Sequence, residues 1–344
     1  MKKVMVGMSG GIDSSVTAYM LQKEGYEVEG VYLKLHNRTD GYHESNISYI
    51  DNVAKHLGIK YHILDITKDF TKEVYDYFVN SYLEGTTPNP CVKCNRQIKF
   101  GKMLDFAKEH NASYLATGHY AKTDGKFIYE ADDKTKDQSY FLSQVDKEAL
   151  PFMMFPMSTY KKEDIIKFGA KLGDVYKKIT EKNESQEICF VDTVYTDVIK
   201  KHANIDQPGI VFDEEGNEVG THKGYMHYTI GKRRGFTVHG AHEPHFVKSL
   251  NAKDNTIIVG KKESLEINTV EANNLNMYVD DTNFKCGVKL RYRSHLLPCE
   301  VSIKDDIATI KLKKSAFGVA TGQLAVFYID EKVIGSAWIT KAFK

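Results

Sequence analysis

Up to about residue 117 the chain alternates short apolar runs with stretches of helical period. Lys3–Met8 (KVMVGM) reads as a strand. Ser14–Gly25 reads as a helix, with Val16, Tyr19, Met20 and Lys23 on one face and Gly25 as its stop. Glu27–Leu35 is a second strand, Asn46–Leu57 a second helix ended by Gly58, and Ile59–Ile66 a third strand. Phe70–Leu83 reads as a long helix rich in aromatic residues. Pro88 and Pro90 then interrupt regular structure. Gln97–Glu109 resumes as a helix, and Ala112–Thr117 is a fourth strand. This alternation predicts an α/β domain, a parallel sheet with helices on both faces.

From about residue 206 the period changes. QPGIVFDEEGNEVGTH reads as a hairpin turning at Asp213–Gly216. After Leu265 the chain is all-β, through FKCGVKLRYRS, LPCEVSIKDDIATIKLKK and GQLAVFYIDEKVIGSAWIT. Turns at Asp305–Asp306 and Asp330–Glu331 suit a small antiparallel barrel. The expected organisation is therefore an α/β domain over 1–205, a small mainly β central domain over 206–264 and a C-terminal β-barrel over 265–344. No repeat, low-complexity segment or heptad pattern interrupts it.

Composition narrows the class. A chain of 344 residues, 42% hydrophobic and 27% charged, has the profile of a globular protein of about two or three domains. Net charge is +1, so any nucleic-acid surface must be a local patch. The start, MKKVMVGMSGGIDSS, lacks the apolar stretch of a signal peptide, and no window approaches the roughly 18 apolar residues of a membrane span. Five sparse cysteines argue against a disulfide framework, and the expectation is a cytoplasmic protein with reduced thiols.

The most specific short signal is Ser9-Gly10-Gly11-Ile12-Asp13-Ser14-Ser15, between the first strand and the first helix. Glycines let backbone N–H groups turn toward an anion, and a helix N-terminus adds partial positive charge. Neither the Walker spacing nor G-x-G-x-x-G is present. The plain alternative is a tight turn capped by Asp13 or Ser14. The loop resembles the pyrophosphate loop of the ATP-pyrophosphatases, which split ATP between the α and β phosphates. The resemblance implies ATP binding by Gly7, Met8, Ser9, Gly10, Gly11, Ile12, Asp13 and Ser14, with Asp13 near Mg²⁺. Leu33 and Gly118, at strand carboxyl ends, are expected to line the nucleotide.

Cys286 and Cys299 lie in alternating strands and read as small buried side chains. Cys91-Val92-Lys93-Cys94 is compatible with half a metal site, a redox pair, or one working thiol beside a bystander; no second CxxC exists. TPNPCVKCN, ATGHYA, KDQSYFL and SQEICFV follow the glycine loop in order, with HYTIGKRRG, RYRS, LPC and GQLAVFY beyond. This order resembles the tRNA-specific 2-thiouridylases over essentially the whole chain.

That resemblance implies ATP-dependent 2-thiolation of the wobble uridine in tRNAs for Lys, Glu and Gln. Adenylation would make the C2 oxygen a leaving group, and a persulfide on Cys189, loaded by a sulfur-donor protein, would supply sulfur. Cys94 would close the cycle in a Cys94–Cys189 disulfide, which needs Cα atoms roughly 4.4–6.8 Å apart at some stage. Family contacts map to Asn89, Pro90, Cys91 and His119 near the base, Lys136, Asp137 and Gln138 as a second segment, and Arg291, Tyr292 and Gln323 in the barrel. Many members carry aspartate where this chain has Cys91, which puts that base contact in doubt. It also makes Cys91, Cys94 and Cys189 candidate ligands of an iron–sulfur cluster. Lys232, Arg233 and Arg234 read either as a phosphate-binding run or as a solvated turn. Other readings are a pyrophosphate-loop ligase acting on a small molecule, and a non-catalytic tRNA-binding metalloprotein.

Overall fold

The computed structural model describes residues 1–37, 40–181, 188–240 and 242–344. The Ser185-Gln186-Glu187 part of the SQEICFV motif lies outside the described residues. The chain divides into two units. Met1–Val74, Cys91–Gln186 and Glu331–Ile334 form the first; Tyr75–Pro90, Glu187–Asp330 and Gly335–Lys344 form the second.

The first unit holds a five-stranded sheet. Its strands are β1 (Lys3–Gly7), β2 (Glu27–Lys34), β3 (Lys60–Asp65), β4 (Tyr114–Ala116) and β5 (Met153–Met154), in the order β3-β2-β1-β4-β5. Every pairing in it is parallel. β1 takes the centre because its sequence does not alternate: Val4, Met5 and Val6 are all fully buried. β5 has two residues, too few to show a period, and the sequence pattern misses it.

Two helices begin earlier than the apolar pattern indicates. Helix α1 spans Ile12–Lys23, after Gly11 in extended conformation. Helix α2 spans Tyr42–Leu57. Its first inward positions are His43 and Asn46, polar side chains that a hydrophobic pattern does not count. Helix α3 (Lys162–Lys171) packs on α1, where Gly169 leaves no room for a Cβ beside Ile12.

The larger correction concerns the cysteine-bearing segment. Pro90 does not break the structure but starts a helix, running as α over Pro90–Lys93, as π over Cys94–Lys102 and as α over Met103–Glu109. Proline suits a first helical turn, where its missing N–H would have no partner anyway. Cys91 and Cys94 are therefore on the first turns of a helix, three residues apart and sharing a face.

The second unit contains a four-stranded sheet of β6 (Gly209–Phe212), β7 (Glu218–His222), β8 (Phe246–Asn251) and β9 (Thr256–Gly260), ordered β8-β9-β6-β7. β6 and β7 form the expected hairpin, with Gly216 in left-handed conformation at its turn. Six strands follow: β10 (Glu266–Met277), β11 (Asn283–Lys289), β12 (Leu297–Lys304), β13 (Ile307–Phe317), β14 (Leu324–Ile329) and β15 (Lys332–Phe343). β10 pairs antiparallel with β13 on one side and with Gly335–Phe343 on the other, so the six-stranded sheet closes into a barrel. Asp305 and Asp306 both adopt positive φ, as the two-residue turn between β12 and β13 requires.

Candidate active site

In the parallel sheet, β1 is flanked by β2 on one side and β4 on the other, so strand order reverses beside it. The crevice at the carboxyl ends of such strands is where open α/β sheets bind ligands. Two loops meet there. A Cβ on Gly118 would lie 2.8 Å from Asp13 Cβ and 3.0 Å from Ser14 N. A Cβ on Gly10, which has φ +77°, would press on the Asn46 backbone at 3.0–3.1 Å. Both glycines are required by close backbone approach.

The end of α1 is built for an anion. No side chain caps it, so its first amides keep their partial positive charge. The Ser14 hydroxyl, expected to reach a ligand, is engaged in the loop: it accepts from Ser9 N–H at 3.2 Å and donates to Gly11 O at 3.1 Å. The Ser15 hydroxyl also donates to Gly11 O, at 3.0 Å. Met8, buried, donates its N–H to Val31 O at 2.8 Å, and Leu33 sits half-buried near the end of β2.

Asp13 is held from two sides by residues that the sequence does not reveal. Lys162 Nζ lies 2.6 Å from Asp13 Oδ2, and Tyr120 donates its hydroxyl to Oδ1 at 2.9 Å. Lys162 is itself buried, an unusual position for lysine unless paired. Tyr120 is braced by Gln138, which accepts Tyr120 N–H through Oε1 at 2.9 Å and donates its own N–H to Tyr120 O at 2.8 Å. Glycine amides, a buried lysine and a carboxylate together fit the charges of a magnesium–polyphosphate group.

Beside this cradle lies the thiol helix. Burial pushes the Cys94 thiol up to about 11; the Lys99 charge opposes that rise and Cys91 adds to it. Burial likewise raises Cys91, against the same lysine. A π-helix bonds i to i+5, so its geometry turns Lys99 toward the face of Cys94. Lys99 Nζ also lies 3.2 Å from His119 Nε2, and Thr117 Oγ1 lies 2.7 Å from His119 Nδ1. An ammonium can only donate, so Nε2 accepts and Nδ1–H donates to Thr117. Burial first, and Lys99 second, hold His119 well below its ordinary pKa, as the neutral base.

Cys91 is therefore a neutral thiol near pH 7 and does not supply the negative charge that a carboxylate would bring to this position. Among the described residues, no group of three or more His, Cys, Asp or Glu side chains is assembled to hold a metal ion. Cys189, in the second unit, is exposed.

Several residues expected at an RNA surface have internal partners. Asp137 is buried and accepts from Ala131 N–H at 3.0 Å and from the Ser139 hydroxyl at 2.8 Å. Lys136 beside it is half-buried. In the second unit, buried Asn89 donates its N–H to Tyr77 Oη at 3.3 Å, and Pro90 is buried. Gln323 Nε2 donates to Thr87 O at 3.0 Å and Pro88 O at 3.1 Å, holding the segment that leads to Pro90. Arg291 Nη2 donates to Ile230 O at 3.1 Å and to Gly318 O, tying the β11–β12 loop to the chain just before Lys232. Tyr292, next to it, is half-buried. Lys232 Nζ donates to His227 O at 2.6 Å, whereas Arg233 and Arg234 are exposed.

Comparison with known proteins is consistent along the chain. The family model "tRNA methyl transferase HUP domain" matches residues 2–193, "tRNA methyl transferase PRC-barrel domain" 196–261, and "Aminomethyltransferase beta-barrel domain" 266–339. The tRNA-specific 2-thiouridylase MnmA 1 of Aliarcobacter butzleri is 79% identical over 338 residues, covering 98% of both chains. The tRNA-specific 2-thiouridylase MnmA of Sulfurimonas denitrificans is 54% identical, again over 98% of both. Its counterpart from Campylobacter lari is 52% identical over 98% of this chain and 99% of its own.

Two predictions follow from these environments. With iodoacetamide near neutral pH, exposed Cys189 is labelled first and Cys94 at least about tenfold more slowly, read by peptide mass spectrometry. Equal rates would contradict the buried, neutral state of Cys94. For His119 the folded pKa is depressed, so its contribution to stability is present above the unfolded value of 6.5 and is lost as pH falls toward the folded value. Below about pH 6.5 the unfolding free energy of the unsubstituted protein should fall by up to about 1.4 kcal/mol per pH unit more than that of His119→Asn, measured by urea titration across pH.

Proposed function

Because the chain belongs to the tRNA-specific 2-thiouridylase family, we propose that it transfers sulfur to C2 of a wobble uridine in tRNA, using ATP to activate the oxygen that leaves. The observation that carries this reading is full-length kinship at 79% identity, joined to a glycine cradle whose one acidic side chain is clamped by a buried lysine. No helix among the described residues is long and apolar enough to cross a membrane.

In this reading the α1 amides and Lys162 hold the ATP phosphates, and Asp13 takes Mg²⁺. Leu33 and Gly118 border the nucleoside. The uracil C2 oxygen attacks the α phosphorus, and pyrophosphate leaves. C2 then carries an adenylate in place of a poor leaving group. A persulfide on Cys189, loaded by a donor protein, attacks C2 through its terminal sulfur, and AMP departs. Cys94 attacks the Cys189 sulfur, frees the thiocarbonyl of the tRNA, and leaves a Cys94–Cys189 disulfide for a reductant to open.

The protonation states favour this order over initial release of hydrosulfide by Cys94. Cys94 begins as a buried neutral thiol, a weak nucleophile. A persulfide is the stronger acid and sits on the exposed cysteine. Cys94 is then needed only after RNA is bound, with Lys99 as the cation that stabilises its thiolate. Neutral His119, engaged through Nε2 by Lys99 and through Nδ1 by Thr117, is suited to hold the Lys99 ammonium in place beside the base. Asn89, Pro90 and Cys91 border the base. Lys136 to Gln138, Arg291, Tyr292 and Gln323 form or support the remaining RNA contacts, and the exposed Arg233 and Arg234 meet phosphate.

The test supplies unmodified tRNA, ATP, Mg²⁺, cysteine and a cysteine desulfurase with its relay proteins, and measures 2-thiouridine by nucleoside mass spectrometry. Product is expected with the native enzyme. Cys189→Ser should lose it by at least about 10³-fold while keeping tRNA affinity within about twofold. Product from Cys189→Ser at the native rate would sink the assignment of the sulfur carrier.

A further inference from the structure

Two further thiols of the second unit, away from Cys189 in sequence, are placed opposite each other. Cys286 in β11 and Cys299 in β12 are direct cross-strand partners, and their Sγ atoms lie 3.5 Å apart. That is van der Waals contact, against the roughly 2.05 Å of a disulfide bond. Cys299 is buried, whereas Cys286 is partly exposed.

The pair sits midway along the hairpin whose loop carries Arg291 and Tyr292. After Cys286–Cys299, only Gly287–Pro298 and Val288–Leu297 are paired before the loop. From that loop Arg291 reaches Ile230 O and Gly318 O. The loop therefore also latches the backbone next to the Lys232-Arg233-Arg234 run.

We propose that Cys286 and Cys299 are a reversible redox pair, closed by a hydroperoxide to a cross-strand disulfide that weakens tRNA binding through the hairpin loop above it. Cys286, giving up its proton as it attacks, bonds one peroxide oxygen; the O–O bond breaks, the departing hydroxide takes up that proton and leaves as water, and a sulfenic acid forms. The Cys299 thiol attacks that sulfur, the S–O bond breaks, and a second water leaves. Two thiols thus give two electrons, and one hydrogen peroxide becomes two waters. Closure must draw the two sulfurs together by more than an ångström, and the new covalent bond fixes the twist of the hairpin two residue pairs below the loop. The hydrogen bond with Cys299, with burial behind it, raises the Cys286 pKa, so the pair stays reduced until oxidant accumulates. The effect on affinity rests on the RNA role proposed above for Arg291 and Tyr292; the disulfide itself does not.

The experiment treats full-length Cys189→Ser protein with hydrogen peroxide, so that no Cys94–Cys189 bond can form. Remaining thiols are alkylated, and non-reduced peptides are analysed by mass spectrometry beside a tRNA binding titration. The expected result is a peptide pair joined through Cys286 and Cys299, with tRNA Kd raised about fivefold or more and restored by dithiothreitol. Cys286→Ser added to this background should show neither change. Alone and under reducing conditions, Cys286→Ser should still form 2-thiouridine. Recovery of Cys286 as its alkylated or sulfinic form, or joined to another cysteine, overturns the proposal. So does a joined pair with unchanged Kd. If the reduced protein binds no tRNA at all, the RNA assignment fails instead, and the joined peptide still reports on the redox pair.

Discussion

Asp13 can occupy the first turn of α1 only because residue 118 has no side chain. The loop after β4 passes so close that a single added carbon would collide with the Asp13 and Ser14 backbone. This contact brings the carboxyl ends of the two adjacent central strands together. One loop contributes helix amides and a carboxylate; the other contributes Thr117, His119 and Tyr120. Lys162 then neutralises the carboxylate from α3, and Gln138 fixes Tyr120. The uncapped start of a helix and a buried neutral histidine are thus brought to one end of the sheet by one close backbone approach.

The α/β domain, the hairpin of the central region and the barrel are legible in the sequence because their apolar periods are clean. The cradle is legible because glycines at a strand-to-helix turn have a backbone meaning that survives without coordinates. The partners of Asp13 are not. Lys162 in KKEDIIKF looks like any helix lysine, and only tertiary burial singles it out. The helix starting at Pro90 is also hidden, since proline reads as a breaker unless it occupies a first turn. The π winding of its second segment is not visible in residue type, and it leaves Lys99 close enough to oppose the rise of the Cys94 pKa.

The RNA-facing assignments show why residue type alone is insufficient. Arg291 and Gln323 have side chains that could meet RNA, and both donate to backbone carbonyls of their own unit. Asp137 lies inside the fold, where burial raises its carboxyl despite the hydrogen bonds it accepts. Such residues shape a surface through what they hold. Arg233 and Arg234, in contrast, are exposed at a turn. The thiols divide in the same way: burial keeps Cys91 and Cys94 protonated, while Cys189 faces solvent.

Cleavage of ATP next to its α phosphate or at its terminal phosphate leaves different products. ATP labelled at the α phosphate, incubated with the enzyme and unmodified tRNA under sulfur-transfer conditions, should yield labelled AMP and an equal amount of unlabelled pyrophosphate in step with 2-thiouridine. Both should fall sharply when tRNA is withheld. Labelled ADP as the tRNA-dependent product would contradict the proposed activation, because the cradle would then serve cleavage at the terminal phosphate and C2 adenylation could not be the activating step.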